Sequence, residues 1–397
     1  MAKKYEATIK ACFIGYIVQA IVNNFTPLLF IRFGTEYNIP LSEITMLITV
    51  NFLLQLMMDF ASAFFIDRIG YKASCLIAHG SCAAGLIALA VLPGMFANAY
   101  IGLLIAVLMY AVGGGLLEVV ISPMVEACPS EHKDKTMSML HSFYCWGTVI
   151  VIAFSTLFFY FFGIENWKTL SLIWAILPIL NGIAFIFLPV CSLADGDEDG
   201  LSLKELFKTK AFWLFALVIC CAGASEQAIS QWASAFTEQA LGISKTVSDL
   251  AGPLLFSVLM GISRTIYGKF GERIDLDKMM VASGALCCAS YMLVSLSPSP
   301  PLALLGMAVC GFSVGILWPG TYSKAASKIK GGGTTMFAFL ALAGDVGCTG
   351  GPTFAGKIAG LAGDNLKTGI SAAVVFPAIL TVALLFTAGM KNKKYDR

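Results

Sequence analysis

Twelve stretches of roughly twenty mostly apolar residues, separated by short polar connections, decide what this chain can fold into. They lie at about 10–33, 41–66, 73–92, 100–125, 137–162 and 167–190 in the first half, and at about 211–241, 247–270, 279–296, 302–325, 334–359 and 368–390 in the second. Each is long enough to cross the hydrocarbon core of a bilayer as a helix. The expected fold is an all-α integral membrane protein whose twelve transmembrane helices form two pseudo-symmetric six-helix bundles. Of 397 residues, 58% are hydrophobic and 13% charged, where a soluble chain is about a quarter charged. The membrane takes nearly the whole chain, which leaves no soluble catalytic domain and does not read as an enzyme. With a net charge of +2 and no basic tract, nothing points to nucleic acid as a partner.

Residues 192–210, SLADGDEDGLSLKELFKTK, are the longest polar interval, acidic and glycine-containing first and amphipathic afterwards. That composition suits a linker, so bundles at 1–191 and 211–397 are expected on either side of it. The basic start MAKKYEATIK runs into an apolar stretch with no small-residue cleavage site, and reads as the first retained helix. Twenty basic residues fall on the side holding the N-terminus and five on the other, with Arg264 inside helix 8. This asymmetry places both termini in the cytoplasm. The twelve cysteines lie almost all inside apolar segments without a CxxC pair, as packing residues do; no metal is expected. Short loops without glycosylation or targeting features fit a bacterial inner membrane, where a monomer is expected.

Glu118 is the residue that most needs a role. It sits in YAVGGGLLEVVISPMVEA, residues 110–127, an apolar segment without water to solvate a carboxylate, and an ionisable residue there is by default functional. Gly113, Gly114 and Gly115 permit a close helix neighbour before it, and Ser122-Pro123 loosens the backbone after it, since proline withholds an N–H. Glu118 and Glu226 are the candidate proton carriers. Glu226 opens a polar face on helix 7 with Gln227, Ser230 and Gln231. Beside them, Trp232 suits stacking on the apolar face of a sugar. On helix 1, Gln19, Asn23 and Asn24 are donor–acceptor amides suited to hydroxylated solutes, while Trp318-Pro319 either lines the cavity or shapes helix 10. Plain hydrogen bonding between helices is the alternative account of all these polar residues.

Asp59 in helix 2 and Arg264 in helix 8 are 205 residues apart, as are Asp67 and Glu272. Around the second pair, AFFIDR at 63–68 repeats as GKFGER at 268–273, a small residue and three spacers before an acid and an arginine. The chain therefore repeats its plan. Asp59, Arg264 and the glycine-flanked Asp345 of helix 11 are candidate gate residues, since intramembrane charges need partners. Asp67 and Glu272 are expected to set conformational preference by facing the positive N-termini of helices, with Arg68 and Arg273 beside them in the same gating group.

Asp67-Arg68-Ile69-Gly70-Tyr71-Lys72 resembles the loop signature of the major facilitator superfamily, D-R-x-G-R-[RK] after a small residue and three spacers, with Tyr71 in place of one basic residue. Within that superfamily the chain is similar to the fucose-permease branch. Glu118 with Ser122-Pro123 resembles that branch's helix 4 motif E-x-x-x-N-P, serine replacing asparagine. Leu140-His141-Ser142-Phe143 with Gly147 resembles its helix 5 motif, and Glu226 before Trp232 its helix 7 pattern. Helix 1 offers Asn23-Asn24 without the aspartate found in the fucose permease. The resemblance implies alternating access by rocking of the two halves, driven by the proton gradient, with proton-coupled uptake of a sugar and Glu118 in the coupling.

A proton symporter for a sugar or other small polar solute is the expected function. One alternative is a proton-coupled antiporter exporting an amphipathic compound, which the 29 phenylalanines would suit. Another is a solute sensor with a transporter fold. No Walker motif, zincin HExxH or nucleophile elbow stands in a credible context, so an ATP pump or hydrolase has no support.

Overall fold

The computed structural model describes residues 2–128, 133–190, 201, 203–270, 275–329 and 333–388, and their regular structure is helical throughout. Helix α1 runs Ala2–Asn24 and, after a 3-10 turn at Thr26–Leu29, continues as Phe30–Tyr37. The break falls where Pro27 has no N–H to return to the carbonyl of Asn23. Then come α2 (Leu41–Ile69), α3 (Tyr71–Val91), α4 (Ala99–Ala127), α5 (Lys133–Phe162) and α6 (Trp167–Phe187). Of the expected linker, residues 192–200 and 202 lie outside the described residues, and a short helix, Leu203–Lys208, closes it.

The second half comprises α7 (Lys210–Ser230), α8 (Leu255–Phe270), α9 (Leu276–Leu296), α10 (Pro300–Val314, resuming at Leu317–Lys328), α11 (Gly333–Leu361) and α12 (Leu366–Ala373, resuming at Val375–Ala388). Among the described residues, eleven stretches are long and apolar enough to cross a membrane. The remaining helix, α11, is diluted by Asp345, Pro352 and glycines. Helix 7 was expected to reach 241, but α7 turns at Gln231 and Trp232 and ends in a π turn at Phe236–Ala240. A second π turn, Leu250–Leu254, holds Pro253 ahead of α8.

Within the first half α4 packs on α2 and α3, α1 on α5, and α3 on α6; within the second, α7 packs on α11, and α9 and α8 on α10. The halves meet along α2 against α11 and α5 against α8. Helix α4 comes close to both neighbours because Gly113 and Gly115 carry no side chain. A Cβ at Gly113 would lie 2.5 Å from Cys82 Sγ on α3, and one at Gly115 2.9 Å from Met58 Cβ on α2. That approach carries Glu118, one turn further on, to the face of α2. His79 is a fixed joint between helices: its Nδ1 donates to the Cys75 carbonyl at 2.8 Å and its Nε2 accepts from Asn181 at 2.8 Å. Asn181 also donates to the Ala11 carbonyl at 3.0 Å, so α1, α3 and α6 are tied at one point.

Candidate functional site

Three acids from three helices converge between the halves. Asp59 on α2, Glu118 on α4 and Asp345 on α11 are partly buried, and one carboxylate oxygen from each lies within 4.8 Å of the other two. Asp59 and Asp345 approach each other from opposite sides of the boundary between halves. Crowded carboxyls are eased by a proton held among them. Glu118 Oε2 accepts from Gln19 Nε2 at 2.8 Å, and one turn on from Glu118 the Ser122 hydroxyl bonds Tyr16 at 2.8 Å. Gln19 Oε1 is buried without a hydrogen-bond partner. Among the described residues these three acids are also the group spaced to ligate a metal ion. Either way the cluster needs positive charge brought to it, because like charges this close in a low dielectric repel strongly.

A second polar array crosses the same boundary. The side-chain oxygen of Asn23 accepts from Gln55 Nε2 at 2.8 Å and Asn51 Nδ2 at 3.3 Å, both on α2. The backbone carbonyl of Asn23 accepts from Gln231 Nε2 at 3.3 Å, in the other half. Gln231 also donates to Gln227 Oε1 at 3.1 Å, Gln227 to Glu226 Oε1 at 3.3 Å, and Arg264 Nη2 meets Glu226 Oε2 at 3.5 Å. Arg264 reaches back to the first half through Nη1, which donates to Cys145 Sγ on α5 at 3.0 Å. Asn24 donates to Thr148 Oγ1 at 3.3 Å, and the Thr148 hydroxyl donates to the Tyr144 carbonyl at 3.1 Å. Polar groups thus run unbroken from α2 to α8.

Two prolines supply acceptors to this array. A proline leaves the carbonyl four residues earlier without its helical donor. Pro27 frees Asn23, whose carbonyl takes Gln231; Pro319 frees Gly315, whose carbonyl takes Arg264 Nε at 3.3 Å. Trp318, beside Pro319, packs its ring on Gly344, next to Asp345.

The candidate residues sort differently from their sequence grouping. Gln19 joins Glu118 and not the amides of Asn23 and Asn24. Asp59 and Arg264, equivalent in the repeat, take different partners: Asp59 lies among the acids, Arg264 with Glu226. Trp232 is fully buried, its N–H donated to the Pro352 carbonyl at 3.0 Å and its ring 5.6 Å from Phe30 across the boundary. The side chains of Asp67 and Arg68 at the end of α2, and Glu272 and Arg273 altogether, lie outside what is described. Asn51, Gln55, Tyr144, Cys145 and Thr148 were not singled out from sequence. Asn51/Gln55 and Tyr144/Thr148 carry the signal that marked Gln19/Asn23, polar side chains four apart on one face of an apolar helix.

Twelve helices in two halves, with charged and amide side chains enclosed between them, define a membrane carrier. The chain belongs to the Major Facilitator Superfamily, whose family model matches residues 12–352. No curated protein matches the sequence. Among solved structures it is similar to a D-xylose–proton symporter (TM-score 0.80, 10% identity, 97% of each chain covered). It is also similar to a bacterial homologue of the human lysosomal transporter Spinster, in an inward-facing and occupied conformation (TM-score 0.77, 14% identity, 100% of each chain). The E. coli fucose:proton symporter superposes with a TM-score of 0.65 at 15% identity, covering 97% of this chain and 99% of that one. At these identities the likeness speaks for the fold.

Proposed function

We propose that this transporter is a proton-coupled symporter that carries a sugar or other small polar solute by rocking one six-helix half against the other. The observation that carries the reading is the carboxyl cluster, built from both halves. Asp59 and Glu118 belong to the first half and Asp345 to the second, so the crowding of carboxyls that favours a bound proton exists only while the halves are joined there. Rocking separates the acids, and water reaching them from one side exchanges the proton. Glu118, held by Gln19, is the group that takes up and releases it. The amide array beside it offers paired donors and acceptors of the kind hydroxyl groups require. Two of the structural neighbours are named as proton symporters, of fucose and of xylose, which agrees with this assignment. The protein acts as a monomer in a bacterial inner membrane, both termini in the cytoplasm.

The test is solute-evoked proton entry into liposomes holding a pH dye, in sodium-free buffer so that metal-ion coupling gives no signal. A panel of sugars, polyols and sugar acids is added to wild type and to Glu118→Gln. Expected is entry with at least one solute, loss of proton-driven accumulation in Glu118→Gln, and survival of solute exchange in that variant. Intact proton coupling in Glu118→Gln ends the assignment. No proton entry, with solute uptake that appears only when sodium is restored, replaces the proton with a metal ion at the same three acids.

A further inference from the structure

Arg264 is poorly served by its partners. A guanidinium presents five N–H donors in a planar fork that matches a carboxylate through two parallel bonds of about 2.7–2.9 Å. Here Nη2 meets a single oxygen of Glu226 at 3.5 Å, the outer limit of a hydrogen bond. Nη1 is given to the sulfur of Cys145 at 3.0 Å, a weak acceptor, and Nε to the proline-freed carbonyl of Gly315 at 3.3 Å. Glu226 is divided as well, since its other oxygen accepts from Gln227. The fork is unfilled although the pair is enclosed by packed helices, where a two-bond ion pair would gain most from the low dielectric. Meanwhile 19% of the Arg264 side chain stays accessible, against 11% of Glu226. Its contacts come from both halves, Cys145 from the first and Glu226 and Gly315 from the second, so Arg264 sits where the halves part.

We infer that the transported solute carries a carboxylate, which fills the Arg264 fork and displaces Cys145 and Glu226. The groups nearest the pair are neutral: Asn23, Asn24, Gln227, Gln231, Tyr144 and Thr148 offer amides and hydroxyls, and the three acids of the Glu118 cluster lie beside them. The neutral groups match hydroxyls, which leaves Arg264 as the cation for an anionic group. The substrate class is a sugar acid, a hexuronate or an aldonate. This rests on the proton-coupled uptake proposed above and narrows its solute. The charges balance within the site. When the solute's carboxylate takes Arg264, Glu226 loses its ion-pair partner and takes up a proton from the medium. When the solute leaves on the other side, Glu226 gives the proton up and returns to Arg264. With the proton carried at Glu118, each anion crosses with two protons and one net positive charge.

The experiment sets matched pairs against one another in the liposome assay: glucose with glucuronate and gluconate, galactose with galacturonate. The acid members are expected to evoke proton entry and the neutral ones not. Arg264→Gln is expected to weaken apparent affinity for the acids at least about 30-fold, the lower end of what losing one partner of a buried charge pair costs. Because that variant strands Glu226 as a buried charge, Glu226→Gln/Arg264→Gln, which removes both charges, is tested beside it, with folding followed by gel filtration in detergent. The double variant is expected to fold and to remain without acid transport. Proton entry with neutral sugars alone, or acid transport that survives in the folded double variant, overturns the carboxylate assignment and leaves proton-coupled sugar uptake standing. Silence from every member of the panel, with correctly folded wild type, overturns both.

Discussion

At the membrane face opposite the chain termini, α2 and α11 touch with no room for a methyl group, and that contact can be tested by adding one. A Cβ at Gly356 on α11 would lie 2.5 Å from Thr45 Oγ1 and 2.7 Å from Thr45 Cγ2 on α2, and 2.6 Å from Trp232. Thr45 cannot swing away without losing its bond to the Leu41 carbonyl at 2.8 Å, and Trp232 is buried and held by Pro352. Ordinary carbon contacts begin near 3.5 Å, so Gly356→Ala forces a displacement of about 1 Å at Thr45. Overpacking of this kind costs about 1–3 kcal/mol. The part against Trp232 lies within the second half and persists in any arrangement of the halves. The part against Thr45 crosses between halves and vanishes when they part at this face, so up to the full amount favours parting, a population shift of about 5- to 150-fold. Hydrogen exchange read by mass spectrometry should show faster exchange in Gly356→Ala over 41–49 and 353–361, with the termini-facing ends unchanged. Thr45→Ala in the same chain removes both threonine contacts and should return exchange to the wild-type rate. Unchanged exchange in Gly356→Ala, or faster exchange that Thr45→Ala does not correct, would refute the reasoning.

Thr49→Val removes the hydroxyl that bonds Thr353 at 2.7 Å across the same contact. It should speed exchange at the same segments by a smaller factor, since one neutral hydrogen bond contributes about 0.5–1.5 kcal/mol. Asn181→Ala strands His79 Nε2, while the Ala11 carbonyl keeps its helical donor within α1. Its melting temperature in detergent should fall, one stranded buried group costing about 1–3 kcal/mol, while transport per folded molecule stays at the wild-type level.

The membrane character and the helices were legible because hydrocarbon tolerates only backbone that bonds itself, and stretches that do so announce themselves by length and apolarity. Glu118 was legible for the same reason, as a charge where solvent is missing. Helix ends were read less well. The turn at Gln231–Trp232 and the π turns at 236–240 and 250–254 leave no mark in hydropathy, because they turn on which carbonyl each backbone N–H reaches and not on side-chain polarity.

Partners were beyond reach. The repeat sets Asp59 and Arg264 at matching positions but says nothing of what faces them, and the structure gives one two other acids and the other Glu226. The prolines divide the two kinds of knowledge most clearly. From sequence alone, Pro27 and Pro319 each leave one carbonyl without a helical donor, since the missing N–H is covalent fact. That the carbonyl of Asn23 is taken by Gln231 from the opposite half, and that of Gly315 by Arg264, follows from how α1, α7, α8 and α10 pack. Packing brings together residues far apart in the chain through shape and burial, which no local pattern encodes.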